Sequence, residues 1–174
     1  DHLDMKKLNA DFGYTLDGGV LGSLEDESFS ADAVNITIDG VSAHPGYAKG
    51  KMVNSMKVAS EFIDALPKDA WGPEFTQDRE GFVHPVSING GMEQTKISFI
   101  IRDHVTSNLK EYETRLENIL KNVVHKYKGA EYTFEIKEQY RNMKEVLATV
   151  PFVADNAIEA MKRAGVSPKP TIIR

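Results

Sequence analysis

Hydrophobic and polar positions change period along the chain, and the changes mark its elements. Val34, Ile36 and Ile38 alternate with Asn35, Thr37 and Asp39, the period of two expected of a half-buried strand. From about Lys51 to Leu66 the period becomes helical, with Met52, Met56, Ala59, Ile63 and Leu66 on one stripe and Pro67 as the stop. Phe82, His84, Val86 and Ile88 then read as one face of a strand. Asn89-Gly90-Gly91 reads as a hairpin turn, and Thr95, Ile97, Phe99 and Ile101 as one face of the return strand. A long amphipathic helix follows from about Ser107 to Tyr127, striped by Leu109, Tyr112, Leu116, Ile119, Val123 and Tyr127 and stopped by Lys128-Gly129. Tyr132, Phe134 and Ile136 make a fourth strand. Residues 33 to 139 therefore read β-α-β-β-α-β, and an α+β ferredoxin-like sandwich is expected: one antiparallel sheet with both helices on one face. In that fold the second and fourth strands are the sheet edges.

The flanks do not continue this pattern. Phe12-Gly13-Tyr14-Thr15-Leu16 is a short strand signal stopped by Asp17-Gly18-Gly19, and residues 20 to 30 read as a polar loop. Pro151 opens a helix striped by Phe152, Ala157, Ile158 and Met161, with Gly165 as its stop. Lys169 to Arg174 reads as a strand that ends abruptly, and Asp1 is not an initiator Met. The chain is expected to be a piece of a longer protein, with the flanks belonging to a second unit.

Composition narrows the function classes. The 174 residues are 41% hydrophobic, and no apolar run approaches the ~18 residues of a membrane span, so no membrane partner is expected. No secretory leader is visible, and cytoplasmic location is expected. With no cysteine, disulfides, thiolate metal sites and a cysteine nucleophile are excluded. A net charge of -5, with nine Asp/Glu against two Lys through residue 40, argues against a nucleic-acid binder. The open face of the central hairpin agrees, since Gln94, Ser98 and Ile100 accompany Lys96 and Arg102 where an RNA-binding sheet needs aromatics.

No dinucleotide, P-loop, HExxH or GxSxG motif is present, and the five histidines show no metal-ligand spacing. Four residues admit two readings. Asp17, before two glycines, is a turn aspartate or a metal ligand held at a strand end. His44, in a Pro/Gly loop, is a surface histidine or a hydrogen-bond donor to an oxyanion. Arg102, offset by one from Ile97-Phe99-Ile101, is a solvated strand arginine or a carboxylate clamp. Asn54 is a helix cap or an exposed amide.

A resemblance sharpens these readings. Asp11 to Gly19 (DFGYTLDGG), Ile38 to Asn54 (IDGVSAHPGYAKGKMVN), Glu80-Gly81-Phe82, Ile100-Ile101-Arg102-Asp103, Tyr140-Arg141-Asn142-Met143 and Pro170 to Arg174 together resemble the peptidase T family of tripeptide aminopeptidases. That family is a branch of the di-zinc aminopeptidases and deacylases. The resemblance implies a lid or dimerisation domain at 29–141, with partial catalytic-domain flanks at 1–28 and 142–174. It implies a parent enzyme that uses two zinc ions to release the N-terminal residue of tripeptides, and a homodimer formed through the lid. It further implies that Asp17 is one zinc ligand, that His44 is the lid histidine reaching the partner subunit's active site, and that Asn54, Arg102 and Arg174 meet the substrate. The other ligands and the general base are expected outside this chain, so the piece alone is expected to be inactive and not to hold zinc. Two departures from the pattern stand out: Tyr47 where a Thr is usual, and Arg141 where a second Tyr is usual. The competing reading is a self-contained ferredoxin-like ligand-binding or regulatory module, or a related di-zinc dipeptidase or deacylase.

Overall fold

The computed structural model describes residues 4–174; Asp1 to Leu3 of the expected first flank lie outside the described residues. In chain order the elements are α1 (Met5–Leu8), β1 (Ser23–Glu27), β2 (Ser30–Asp39), a 3-10 turn (Pro45–Tyr47), α2 (Ser55–Asp64), β3 (Phe82–Gly90), β4 (Gln94–Asp103), α3 (Thr106–Val124), β5 (Glu131–Tyr140), α4 (Met143–Leu147), α5 (Phe152–Arg163) and β6 (Lys169–Ile172). They form two compact units, one of residues 28–142 with Arg174, the other of the described residues through 27 with 143–173.

The larger unit is a four-stranded antiparallel sheet in the order β3-β4-β2-β5. This is the ferredoxin-like arrangement, with β3 and β5 at the edges. Along β4, Thr95, Ile97, Phe99 and Ile101 are buried under the helices, while Lys96, Ser98, Ile100 and Arg102 point to the open face. β2 alternates in phase, burying Val34, Ile36 and Ile38. Val58, Ala59 and Phe62 of α2 and Leu109, Leu116, Leu120 and Val123 of α3 complete the core. Each of the larger aliphatic and aromatic side chains contributes on the order of 1–3 kcal/mol by leaving water, which outweighs the weak intrinsic preference of the strands.

Edge strand β3 departs from the alternation read in the sequence. Its register against β4 slips between Pro85 and Ser87, leaving Val86 in a bulge. Phe82 and His84 oppose Arg102 and Ile100 on the open face, but Ile88 opposes Ile97 on the helix side. The four residues Phe82, His84, Val86 and Ile88 thus do not share one face. Pro85, which has no ladder donor, sits at that bulge. The hairpin also turns slightly later than expected: β3 runs through Gly90, and the Gly91 amide closes on the Gln94 carbonyl at 2.8 Å. A Cβ on Gly90 would lie 2.7 Å from Thr95 Cβ, so glycine there permits close strand approach.

In the smaller unit β1 and β6 pair in parallel, Ser23 opposite Lys169 and Leu24 opposite Pro170. The strand expected at Phe12–Leu16 does not form. That segment is irregular: Phe12 packs edge-on against Tyr14 and Phe152, and the Tyr14 hydroxyl donates to the Val153 carbonyl at 2.7 Å. Leu16 is exposed. The strand lies instead in the stretch that reads as a polar loop, because Ser-Leu-Glu-Asp-Glu of β1 gains a ladder partner 146 residues away that local pattern does not reveal. Glu27 is buried and ion-paired to Lys144 of α4 at 2.9 Å, which accounts for an acid inside a strand. Helix α5 gives way at Gly165, whose φ of +75° lets the chain turn back so that the Val166 amide donates to the Met161 carbonyl at 2.9 Å.

Candidate functional site

His44 stands on a closed loop between β2 and α2, with Asn54 just past its neck. Its neck is the Val41–Val53 bridge, closed by two backbone hydrogen bonds of 2.8 and 2.9 Å. Gly40 just before the neck donates to the Glu93 carbonyl at 2.7 Å; a Cβ there would lie 2.3 Å from the Val53 carbonyl oxygen and 2.8 Å from that of Met92. Ser55, fully buried, ties the far side of the neck to the β3–β4 turn by donating to the Gly91 carbonyl at 2.7 Å.

Beyond the neck, His44 caps the 3-10 turn. Its Nδ1 accepts the Gly46 amide at 3.1 Å, and its carbonyl accepts the Tyr47 amide at 2.9 Å. With Nδ1 serving as an acceptor, the neutral imidazole carries its proton on Nε2. The residue is exposed, so Nε2–H is a donor presented outward on a fixed turn. Asn54 is the N-cap of α2: its Oδ1 accepts the Met56 amide at 2.9 Å, which leaves the amide Nδ2 as a donor.

Arg102 lies on the open face of the sheet, opposite Ala31 of β2 and Phe82 of β3. Its guanidinium is 5.9 Å from the Phe82 ring centroid and 6.0 Å from that of Tyr140. Its Nε is buried without a hydrogen-bond partner, and no ion pair joins Arg102 to another described residue. A guanidinium held between aromatic rings and lacking a carboxylate partner is suited to an anion supplied from outside. Arg174 flanks the same aromatic group: its guanidinium is 5.8 Å from the Phe29 ring, which lies 5.5 Å from Phe82. Its Nη1 donates to the carbonyls of Asp78 and Glu80 at 2.8 and 3.2 Å and its Nη2 to Thr76 Oγ1 at 2.7 Å. The buried ring of His104 lies against Phe29 at 4.1 Å, with neither nitrogen partnered among the described residues. Phe29, Phe82 and Tyr140 carry no sequence signal of this grouping, since only β3 and β5 pairing around β4 and β2 brings them together.

Asp17 lies in the smaller unit, exposed and irregular, with Oδ1 accepting the Gly18 amide at 2.7 Å. Among the described residues no three His, Asp or Glu side chains converge on one point. The described residues therefore bring together no set of donors that would hold a metal ion, and Asp17 stands among them as one isolated carboxylate.

Residues 27–128 match the model of the peptidase dimerisation domain. The chain belongs to the peptidase dimerisation domain family. Peptidase T of Geobacillus kaustophilus is 44% identical over 171 residues, covering 98% of this chain and 41% of that protein. Peptidase T of Clostridium perfringens is 43% identical over 174 residues, covering 100% of this chain and 43% of that protein. The chain thus spans about two-fifths of the length of these curated relatives. Among solved structures, aminopeptidase PepT from Bacillus cereus superposes with a TM-score of 0.74 over 99% of this chain and 46% of its own, at 21% identity, which speaks to the fold alone.

Two further features belong to the larger unit of this dimerisation domain. A groove of about 620 Å³ runs between α2 and the edge strand β3, lined by Ile63, Lys68, Pro85, Val86, Ile88 and Ile97. Val86 and Ile88 are 49% and 57% exposed there, an apolar margin on a strand whose outer edge has no partner among the described residues. On the helix-covered side of the sheet, Asp32 of β2 and Glu113 of α3 are both buried and lie close enough to act on each other. Burial, then the neighbouring Asp32 carboxyl, pushes the Glu113 carboxyl above its usual range, while Lys110 at 3.4 Å opposes the rise. Arg141 reaches Asp32 at 2.8 Å and Glu138 at 2.8 Å, and its bond to Asp32 holds the guanidinium more firmly charged.

Proposed function

We propose that this chain is the lid and dimerisation portion, with flanks, of a cytoplasmic zinc-dependent aminotripeptidase that releases the N-terminal residue of tripeptides. The lid is taken as residues 29–141 and the catalytic-domain flanks as 1–28 and 142–174. The observation that carries the reading is the His44 turn. An outward Nε2–H on a loop locked at its neck is a donor that requires no reorganisation when charge develops on a carbonyl oxygen. In this reading it steadies the tetrahedral oxyanion formed when water adds to the scissile carbonyl, and it does so across a two-fold axis, in the partner subunit's site. Arg102 takes the peptide's carboxylate and Asn54 Nδ2 donates to its backbone. Arg174 stands beside the substrate's C-terminal end while bracing the loop at 76–80. The metal pair, read as zinc, supplies an activated water when bound; Asp17 is the one carboxylate this chain offers toward it. The homodimer is read as forming through the β3 edge and the α2 groove. This chain alone is expected to be inactive.

The test is direct. The full-length protein should cleave the first peptide bond of tripeptides when loaded with zinc, and His44→Ala should lower kcat by about 10²-fold or more, the usual loss on removing an oxyanion donor. A full-length protein that ignores tripeptides, or a His44→Ala variant with unchanged kcat, overturns the reading.

A further inference from the structure

We infer that Tyr47 sets side-chain specificity, forming an apolar wall against a residue that flanks the cleaved bond and favouring tripeptides with a large aliphatic or aromatic side chain there. The inference rests on the reading of His44 as the oxyanion donor and extends it to the ring beside it.

Tyr47 is 77% exposed, a large ring left in water by a fold that buries or half-buries most of its other aromatic residues. It adds nothing to the core, and its hydroxyl has no hydrogen-bond partner among the described residues. Yet the ring is not on a loose loop. Its amide closes on the His44 carbonyl at 2.9 Å, and the Lys51 and Met52 amides close on the Ala48 carbonyl at 2.9 and 3.0 Å. The neck behind it is the Val41–Val53 bridge. The ring centroid lies 5.6 Å from that of His44, with the planes tilted by 39°. Consecutive residues of a peptide are ~3.8 Å apart, so a substrate whose scissile carbonyl meets His44 Nε2 has a neighbouring side chain within reach of the Tyr47 ring. A rigid, amphipathic ring with two side-chain torsions offers contact area at low ordering cost. The phenyl face takes apolar side chains, and the rim hydroxyl remains wet.

The experiment uses the full-length enzyme and two tripeptide series, one varied at the first residue and one at the second through Gly, Ala, Leu and Phe. Tyr47→Ala should lower kcat/KM by about tenfold for the Leu and Phe members of the responsive series, the size of one aromatic contact, and by less than about threefold for Gly and Ala members. The loss should fall on KM rather than kcat, as for an interaction made equally in ground and transition states. Tyr47→Phe should retain the preference, because the ring rather than the hydroxyl makes the contact. Calorimetric Kd values for the same peptides should show the same ratio, so the inference stays testable on a protein that binds peptides without turning them over. His44→Ala in the same panel should lower kcat for every peptide alike. An unchanged kcat there defeats the oxyanion reading and leaves the Tyr47 comparison standing. A Tyr47→Ala profile flat across both series, or a Tyr47→Phe loss as large as that of Tyr47→Ala, overturns the inference.

Discussion

Arg102 is a guanidinium on an open sheet face with aromatic rings on two sides and, among the described residues, no carboxylate paired to it. In a chain with five more acidic than basic side chains, an arginine without an ion pair is an expensive arrangement unless an anion completes it. Arg102→Met in the full-length enzyme should therefore raise KM for free tripeptides by about tenfold or more, the scale of a charge-assisted bond, and leave KM for C-terminally amidated tripeptides nearly unchanged. Equal losses on both peptide forms would remove the carboxylate from the account. At this scale the sequence supplies residue types and the structure supplies their chemistry. His44 reads as a loop histidine either way; only the Gly46 amide on its Nδ1 fixes which nitrogen donates. Asn54 as a helix cap is legible, because an amide just ahead of an apolar helical stripe has few other uses. The rings around Arg102 are illegible, since Phe82 and Tyr140 lie 58 residues apart and meet only through the strand order.

Strands and helices of the sandwich follow from period alone: β4 alternates over ten residues with every odd-numbered side chain buried. Two of the misreadings have local physical causes. The bulge at Val86 changes which β3 residues share a face, and a slip of one position is invisible in a run that is apolar at 82, 83, 86 and 88. The absent strand at Phe12–Leu16 is apolar enough to pair but is used for ring packing against Phe152 instead. Buried charge inside elements is the other feature that pattern misses. Glu113 sits on the buried side of α3 beside Asp32, and its carboxyl is held above the ordinary value of 4.5. The native state therefore keeps a proton that the unfolded chain has released. Stability from this group is complete below the ordinary glutamate range and declines as pH rises through the elevated value. Glu113→Gln, which keeps a donor toward Asp32 without titrating, should flatten the fall of the urea midpoint across that window and leave the variant more stable than the parent above it. Parallel midpoint–pH curves for the two proteins would contradict this assignment.

The assembled molecule is expected to be a two-fold dimer in which β3 edges and α2 grooves face each other. Lysines on an edge strand block approach, so Val86→Lys with Ile88→Lys should convert a particle of about 39 kDa, twice the 19.4 kDa chain, to monomer without loss of helix signal. A double variant that stays dimeric would move the interface elsewhere. Dimerisation and chemistry meet in one experiment. Full-length subunits carrying His44→Ala are mixed with subunits carrying Asp17→Ala, each inactive as a homodimer, and allowed to exchange. If His44 serves the partner's site, the mixed dimer contains one whole site, and random exchange should restore up to about a quarter of the wild-type turnover. Heterodimers that form, shown by differential tagging, and restore no turnover would contradict the account.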